Sequence, residues 1–311
     1  MYGGTSRLVE RLFAPLGIDV VRVDSTDLGA VSCALASQHT GTTFVLVESP
    51  SNPLLRVTDI CGIAQLAHAA GARLAVDNTA LSPYLQNPLE LGADVVVHSA
   101  TKHLGGHGDA TAGVLVTRES ELAESIGFVQ NAEGNALAPF ESWLILRGLK
   151  TLAVRVAQET RTAARVAEFL ASNPGVRRVH YPGLASHAGH LLHATQARGA
   201  GQLISFETGD RKLSQGLCEQ TELFRIAVSF GSTHSTISLP CQMSHASVPE
   251  EALRDARIAA LPPDLVRLSI GLEDSRDLIS DLQRVLNSTE RRARGSGRER
   301  QSVTHSPRGG S

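Results

Sequence analysis

The sequence predicts an α/β fold in which a parallel β-sheet covered by helices forms a large unit and a smaller α+β unit follows it. Three observations predict it. Short β-rich apolar runs alternate with helical periodicity in the first half, each run stops at a polar residue or turn, and the pattern changes around Arg147-Gly148-Leu149-Lys150.

Four runs carry the large sheet: Phe44–Glu48, Arg73–Asp77, Asp94–His98 and Gly113–Thr117. Between the first two, Ile60, Ile63, Ala64 and Ala67 recur at helical spacing, so an amphipathic crossover helix is expected over Thr58–Ala70. A long helix is expected from Val154 to Leu170. It leads to strands at Gly201–Glu207, Ile226–Phe230 and Val266–Ile270 and a closing helix over Ser275–Leu286. The expected organisation is a large domain over 1–148, a small domain over 149–288 and a disordered tail over 289–311, where six arginines face two glutamates without apolar periodicity.

Composition narrows the function. A chain of 311 residues with 42% apolar content buries a large core, which excludes a disordered or fibrous protein. The formal charge of −2 gives no reason to expect nucleic acid or an acidic membrane as partner, so small molecules are favoured. No apolar run approaches the roughly 20 residues of a membrane span. Met1 is followed at once by Tyr2-Gly3-Gly4-Thr5 instead of a basic and then apolar segment, so no secretory signal is expected. Cys33, Cys61, Cys218 and Cys241 form no CxxC pair and are expected to be buried, inert thiols in a reducing compartment.

In open α/β sheets ligands sit at the carboxyl ends of strands, which here carry Glu48, Asp77 and His98-Ser99. Val76-Asp77-Asn78-Thr79 and His98-Ser99-Ala100-Thr101-Lys102-His103 therefore share one sheet edge. A Schiff-base lysine must be able to lose its proton, and the hydroxyls of Ser99 and Thr101 beside Lys102 suit a phosphate. Asp77, on a neighbouring strand end, suits a protonated pyridine nitrogen. Gly105, Gly106 and Gly108 permit close backbone approach. The histidine groups His98/His103/His107 with Asp109, and His187/His190/His193, are not expected to bind metal, because such sites need converging geometry and second-shell support. For the second group, solvent-facing or capping roles are expected. Trp143 is expected to pack in the core or an interface.

Taken together, YGGTSR (Tyr2–Arg7), ESPSNP (Glu48–Pro53), VDNT (Val76–Thr79), LGADVVVHSATKHLGGHGD (Leu91–Asp109), LRGLKTL (Leu146–Leu152), YPGL (Tyr181–Leu184), MSHAS (Met243–Ser247) and VRLSIGLED (Val266–Asp274) resemble the transsulfuration enzymes. That family, of pyridoxal-phosphate fold type I (aspartate aminotransferase-like), includes cystathionine β- and γ-lyases, cystathionine γ-synthase and methionine γ-lyase. The resemblance runs from Tyr2 to about Leu286 and implies pyridoxal 5'-phosphate as cofactor, with Lys102 bonded to it. It also implies that Asp77 holds the ring nitrogen, Ser99 and Thr101 the phosphate and Asn52 the ring hydroxyl, while Tyr2 stacks on the ring and handles protons. Arg267 and Ser229 would take the substrate α-carboxylate, Arg7 would face the active site, and His234 would help select the distal part of the substrate. The segments at 130–143, 226–247 and 264–274 look most like plant-type cystathionine β-lyases. The implied reaction is β-elimination of cystathionine to homocysteine, pyruvate and ammonia, with γ-elimination or γ-replacement as the nearest rival.

The resemblance further implies a homo-oligomer, a dimer at least and a tetramer by expectation, located in the cytoplasm or, for a plant-like protein, a plastid. Members of the family carry, ahead of the YGGT motif, a Gly-Met turn and a Tyr-x-Arg element that hold phosphate. Their absence ahead of Tyr2 implies either an incomplete version of a larger enzyme or an inactive member acting as a binding or scaffold protein.

Overall fold

The computed structural model describes residues 2–37, 41–241 and 261–287. The MSHAS motif and the arginine-rich tail lie outside these residues. Strands β1 (Phe44–Glu48), β2 (Arg73–Asp77), β3 (Val95–Ser99) and β4 (Gly113–Val116) form one sheet in that order. The first three run parallel, with Glu48 beside Asp77 and Asp77 beside Val97. The fourth runs antiparallel to β3, pairing Ser99 with Gly113, which corrects the expectation of a purely parallel sheet. The physical reason lies in the connection: residues 100–112 form turns and loop with no crossover helix, and such a link returns the chain alongside the strand it has just left.

Helix α1 (Gly3–Leu8) opens the described chain and α2 (Leu28–Ala36) follows it. Helix α3 (Ile60–Ala69) is capped by Asp59, whose carboxylate accepts from the Gly62 N–H, and buries Ile60, Ile63, Ala64 and Ala67 against Leu74 and Val76 of β2. That stripe leaves Cys61 exposed, and Cys33 on α2 is exposed as well. The expectation of four buried thiols is met by Cys218 alone: Cys241 is half-buried, and Cys61, out of phase with its helix's apolar stripe, faces solvent. Short helix α4 (Ser82–Leu85) leads toward β3, and α5 (Ser120–Ala132) and α6 (Pro139–Leu149) follow β4. Trp143 on α6 is 57% exposed and stacks on Phe140, so it is not a core residue.

Helix α7 (Leu152–Ser172) packs its apolar stripe onto a second sheet. That sheet comprises β5 (Arg178–His180), β6 (Leu203–Glu207), β7 (Arg225–Ile226), β8 (Thr236–Ser238) and β9 (Leu265–Ser269) in the order β5-β6-β9-β8-β7. Every residue of β6 and β9 is buried. Helices α8 (His190–Gln196), α9 (Arg211–Gln220) and α10 (residues 275–287) surround it. The strand expected over Ile226–Phe230 shrinks to two residues, because the segment bends out of the sheet to carry Ser229 and Phe230 toward Lys102. His193, expected to face solvent, is buried with its Nε2 on the Gly199 carbonyl.

The two sheets are tied by buried polar contacts. The Ser205 hydroxyl donates to the Pro53 carbonyl at 2.6 Å, the Gln196 amide to the Thr58 carbonyl at 2.8 Å, and Arg267 Nη1 to Asn52 Oδ1 at 3.1 Å.

Candidate active site

The carboxyl ends of β2 and β3 bring the predicted residues together through one relay. The Ser99 N–H donates to Thr79 Oγ1 at 2.8 Å, and the Thr79 hydroxyl donates to Asp77 Oδ1 at 2.5 Å. The Thr79 N–H bonds the same carboxylate oxygen at 3.0 Å. Two donors fix the orientation of Asp77.

After β3 the chain turns at Ser99–Gly106, with the Lys102 N–H on the Ser99 carbonyl and the Gly106 N–H on the Lys102 carbonyl. Gly106 adopts a φ of 74°, and a side chain there would collide with the Arg155 guanidinium. Lys102 Nζ donates to Ser229 Oγ at 2.6 Å and lies 5.2 Å from the centre of the Phe230 ring. Burial, and next the Arg267 charge, push the Lys102 ammonium below the usual lysine range. Such a lysine is readied to act as a neutral amine.

Arg267 sits in the middle of β9 and is 2% exposed. Its Nη2 donates to the Val228 and Ser229 carbonyls at 2.9 and 3.3 Å, and burial brings its basicity down to about 10. Tyr2 lies within electrostatic reach of Arg267. Among the described residues, Arg267 Nε has no partner. A buried guanidinium with an unmet N–H is suited to an incoming carboxylate. Asn52 completes the group: its N–H donates to Glu48 Oε1 at 2.8 Å, and its side-chain oxygen is taken by Arg267, leaving the amide nitrogen to donate.

A cleft of about 1010 Å³ opens beside Lys102, lined by Thr101, Ser229, Phe230, His234, Glu141 and Arg225 among others. Thr101 Oγ1 already accepts from the Ala112 N–H at 3.0 Å and donates to the Ala112 carbonyl at 3.3 Å. His234 is exposed on the cleft wall. Arg7 lies in the last, exposed turn of α1. Phe230, Arg155, Glu159 and Gln202 enter the site's surroundings without having been singled out in the sequence, and His103, weighed there only as a metal ligand, joins them. The available signal was Arg155 and Glu159, two charged residues one turn apart on the stripe that α7 buries.

The model of the Cys/Met metabolism PLP-dependent enzyme family matches residues 1–287. The chain belongs to this family. It is 50% identical over 91% of its length to the chloroplastic cystathionine beta-lyase of Arabidopsis thaliana, covering 60% of that protein. With the cystathionine gamma-synthase of Mycobacterium leprae identity is 45%, over 92% of this chain and 72% of the relative. The chain thus spans about 60% of the length of the plant relatives it matches. Among solved structures, the cystathionine gamma synthase of Xanthomonas oryzae pv. oryzae in complex with aminoacrylate and cysteine superposes with a TM-score of 0.88. Identity is 39%, and the match covers 93% of this chain and 73% of that one. The architecture is the type I fold of these PLP-dependent enzymes.

The residues present fit the family's cofactor by their donor chemistry. One strand end offers a fixed carboxylate, the next offers hydroxyls and a lysine of lowered basicity, and the facing sheet offers a buried guanidinium.

Proposed function

We propose that this chain carries the active site of a carbon–sulfur lyase that uses pyridoxal 5'-phosphate to cleave cystathionine by β-elimination, giving homocysteine, pyruvate and ammonia. The observation that carries this reading is Lys102 Nζ, held 2.6 Å from Ser229 Oγ beside the buried, incompletely paired Arg267. The 50% identity to a protein named cystathionine beta-lyase supports the choice of substrate. When bound, pyridoxal phosphate supplies an electron-withdrawing ring that stabilises negative charge at the amino-acid Cα.

The chain's own residues do the rest. Asp77, fixed by Thr79, holds the ring nitrogen in its protonated form. Ser99 and Thr101 would hold the phosphate through their hydroxyls, Thr101 giving up its bond to the Ala112 carbonyl. Asn52, its oxygen already used, presents its amide N–H to the ring hydroxyl. Arg267 takes the α-carboxylate of cystathionine on its free Nε side, and the Ser229 hydroxyl, an acceptor toward Lys102, donates to that carboxylate. Lys102 would remove the proton at Cα, a role its lowered basicity favours. Tyr2 would help hold the ring and, with Lys102, would be the proton source for the departing sulfur. Arg7 is given its place facing the active site by the family resemblance, and His234 would contact the distal part of the substrate from the cleft wall.

The exposed Phe128, Phe140, Trp143 and Leu146 support assembly into a homodimer or tetramer. No described helix is long and apolar enough to cross a membrane. The names of the plant relatives favour a plastid for a plant-like source, and the cytoplasm otherwise.

A product assay tests the reading. The chain is supplied with pyridoxal phosphate and cystathionine, and pyruvate and 2-oxobutyrate are measured, with Lys102→Ala as control. Pyruvate that the variant does not make is the expected result. 2-Oxobutyrate would move the activity to γ-elimination, in keeping with the relatives named gamma-synthase and gamma-lyase. Cofactor bound without either product would overturn the lyase reading.

A further inference from the structure

Behind Lys102 lies a buried polar cluster that the proposed chemistry does not use. His103 Nδ1 faces Glu159 Oε2 at 3.8 Å, and the two side chains are 1% and 0% exposed. Among the described residues, His103 Nδ1, both Glu159 oxygens, Arg155 Nη1 and Gln202 Oε1 lack hydrogen-bond partners. Buried polar atoms are rarely left unmet, and several in one place mark a group with work to do.

The contacts give the cluster a direction. The Gln202 amide nitrogen abuts His103 Nε2. With the amide nitrogen toward the ring, Nε2 accepts and the ring proton falls on Nδ1, the nitrogen that faces Glu159. Arg155 Nη2 clamps the His103 carbonyl at 3.0 Å and the Gly148 carbonyl at 2.9 Å. The imidazole packs 5.8 Å from the Phe230 ring, which also faces Lys102 Nζ and, at 5.9 Å, the Arg267 guanidinium. Gly231 closes the box, since a side chain there would press on the His103 ring and the Lys102 backbone. His103 therefore has no room to move without moving Phe230 or Lys102.

We propose that Glu159 and His103 form a buried proton-holding pair that, clamped by Arg155 and Gln202, positions Lys102 and sets its readiness to lose a proton. Glu159 is a positioning residue that acts through His103. This inference rests on the role proposed for Lys102.

The charged groups facing the pair are Lys102 on the same turn, His98 on β3, Arg155 on α7 and Glu273 after β9. Burial dominates both members, holding His103 neutral and raising the Glu159 carboxyl to about 7, so Glu159 takes up and releases its proton near neutral pH beside a neutral imidazole. A carboxyl raised on folding contributes stability that is fully present below its unfolded value and is lost as pH rises through about 7.

The chain has three lysines, Lys102, Lys150 and Lys212, the latter two exposed, so Lys102 can be read without cofactor. In cofactor-free protein at pH 8, acetylation by acetic anhydride is followed at each lysine by peptide mass spectrometry, alongside thermal melting at pH 5 and pH 8. Glu159→Gln removes a negative charge beside His103, the neighbour of Lys102 in the chain. It is expected to speed Lys102 acetylation about threefold relative to Lys150 and Lys212, the equivalent of half a pH unit. It should also gain melting temperature relative to the parent at pH 8 more than at pH 5. Glu159→Asp should restore the slower acetylation. If Glu159→Gln does not fold, His103→Asn carries the same test of Lys102 reactivity. An unchanged Lys102 rate in a folded variant, or an unchanged difference in melting between the two pH values, overturns the proposal. Because no cofactor is present, failure of the lyase reading leaves this result standing on its own.

Discussion

The two sheets of this protein differ in how far burial extends. In the five-stranded sheet the three inner strands β6, β9 and β8 are buried throughout while the short edge strands β5 and β7 expose residues, and one continuous core joins it to α7, α9 and α10. In the sheet of β1 to β4 only the middle strands are well buried, while Phe44, Leu46, Leu115 and Val116 on the edges are exposed. The chemistry divides along the same line. The open sheet presents Asp77, Ser99 and Lys102 on strand ends and a turn. The closed sheet holds Arg267 in the middle of a strand, where its head can only wait for a partner of fixed geometry.

Four substitutions or treatments sharpen or break that contrast. Lys102→Ala should cut pyruvate formation by about 10^3-fold or more while leaving the melting temperature within a few degrees, since the turn is held by backbone bonds. A large loss of stability would mean that the open sheet depends on Lys102 for its fold. Arg267→Lys should come next, raising KM for cystathionine by about 10–100-fold because an ammonium cannot reproduce a two-pronged contact. An unchanged KM would remove Arg267 from the substrate site.

The third is a pair. Phe206→Ala in the closed sheet should cost about 3–5 kcal/mol by denaturant melts, and Leu115→Ala on the open edge less than about 1 kcal/mol. Equal costs would erase the distinction between the sheets. The mildest concerns thiols: a maleimide at pH 7 should label Cys33 and Cys61 at once and spare Cys218, whose thiol burial pushes up to about 12.

The strands of the open sheet were legible because each apolar run ends at a polar residue, and Asp77 and Lys102 could be placed at one edge from that punctuation alone. Cys61 was also legible in principle, since the stripe Ile60, Ile63, Ala64, Ala67 excludes it. The reversed direction of β4 was not, because a glycine-rich loop has no periodicity to betray which way the chain returns. Nor was the bend that shortens β7 and delivers Ser229 and Phe230 to Lys102, which depends on contacts 127 residues apart in the chain. Periodicity marks which face of α7 is buried, yet it cannot say that Glu159 on that face meets His103 from a distant turn.

The central claim is that Lys102 is the residue that bonds the cofactor. The most direct test is to incubate the chain with pyridoxal phosphate, reduce it with borohydride and locate the added mass by peptide sequencing. The account predicts a single modification at Lys102. Modification spread over Lys150 and Lys212 with Lys102 untouched would contradict it.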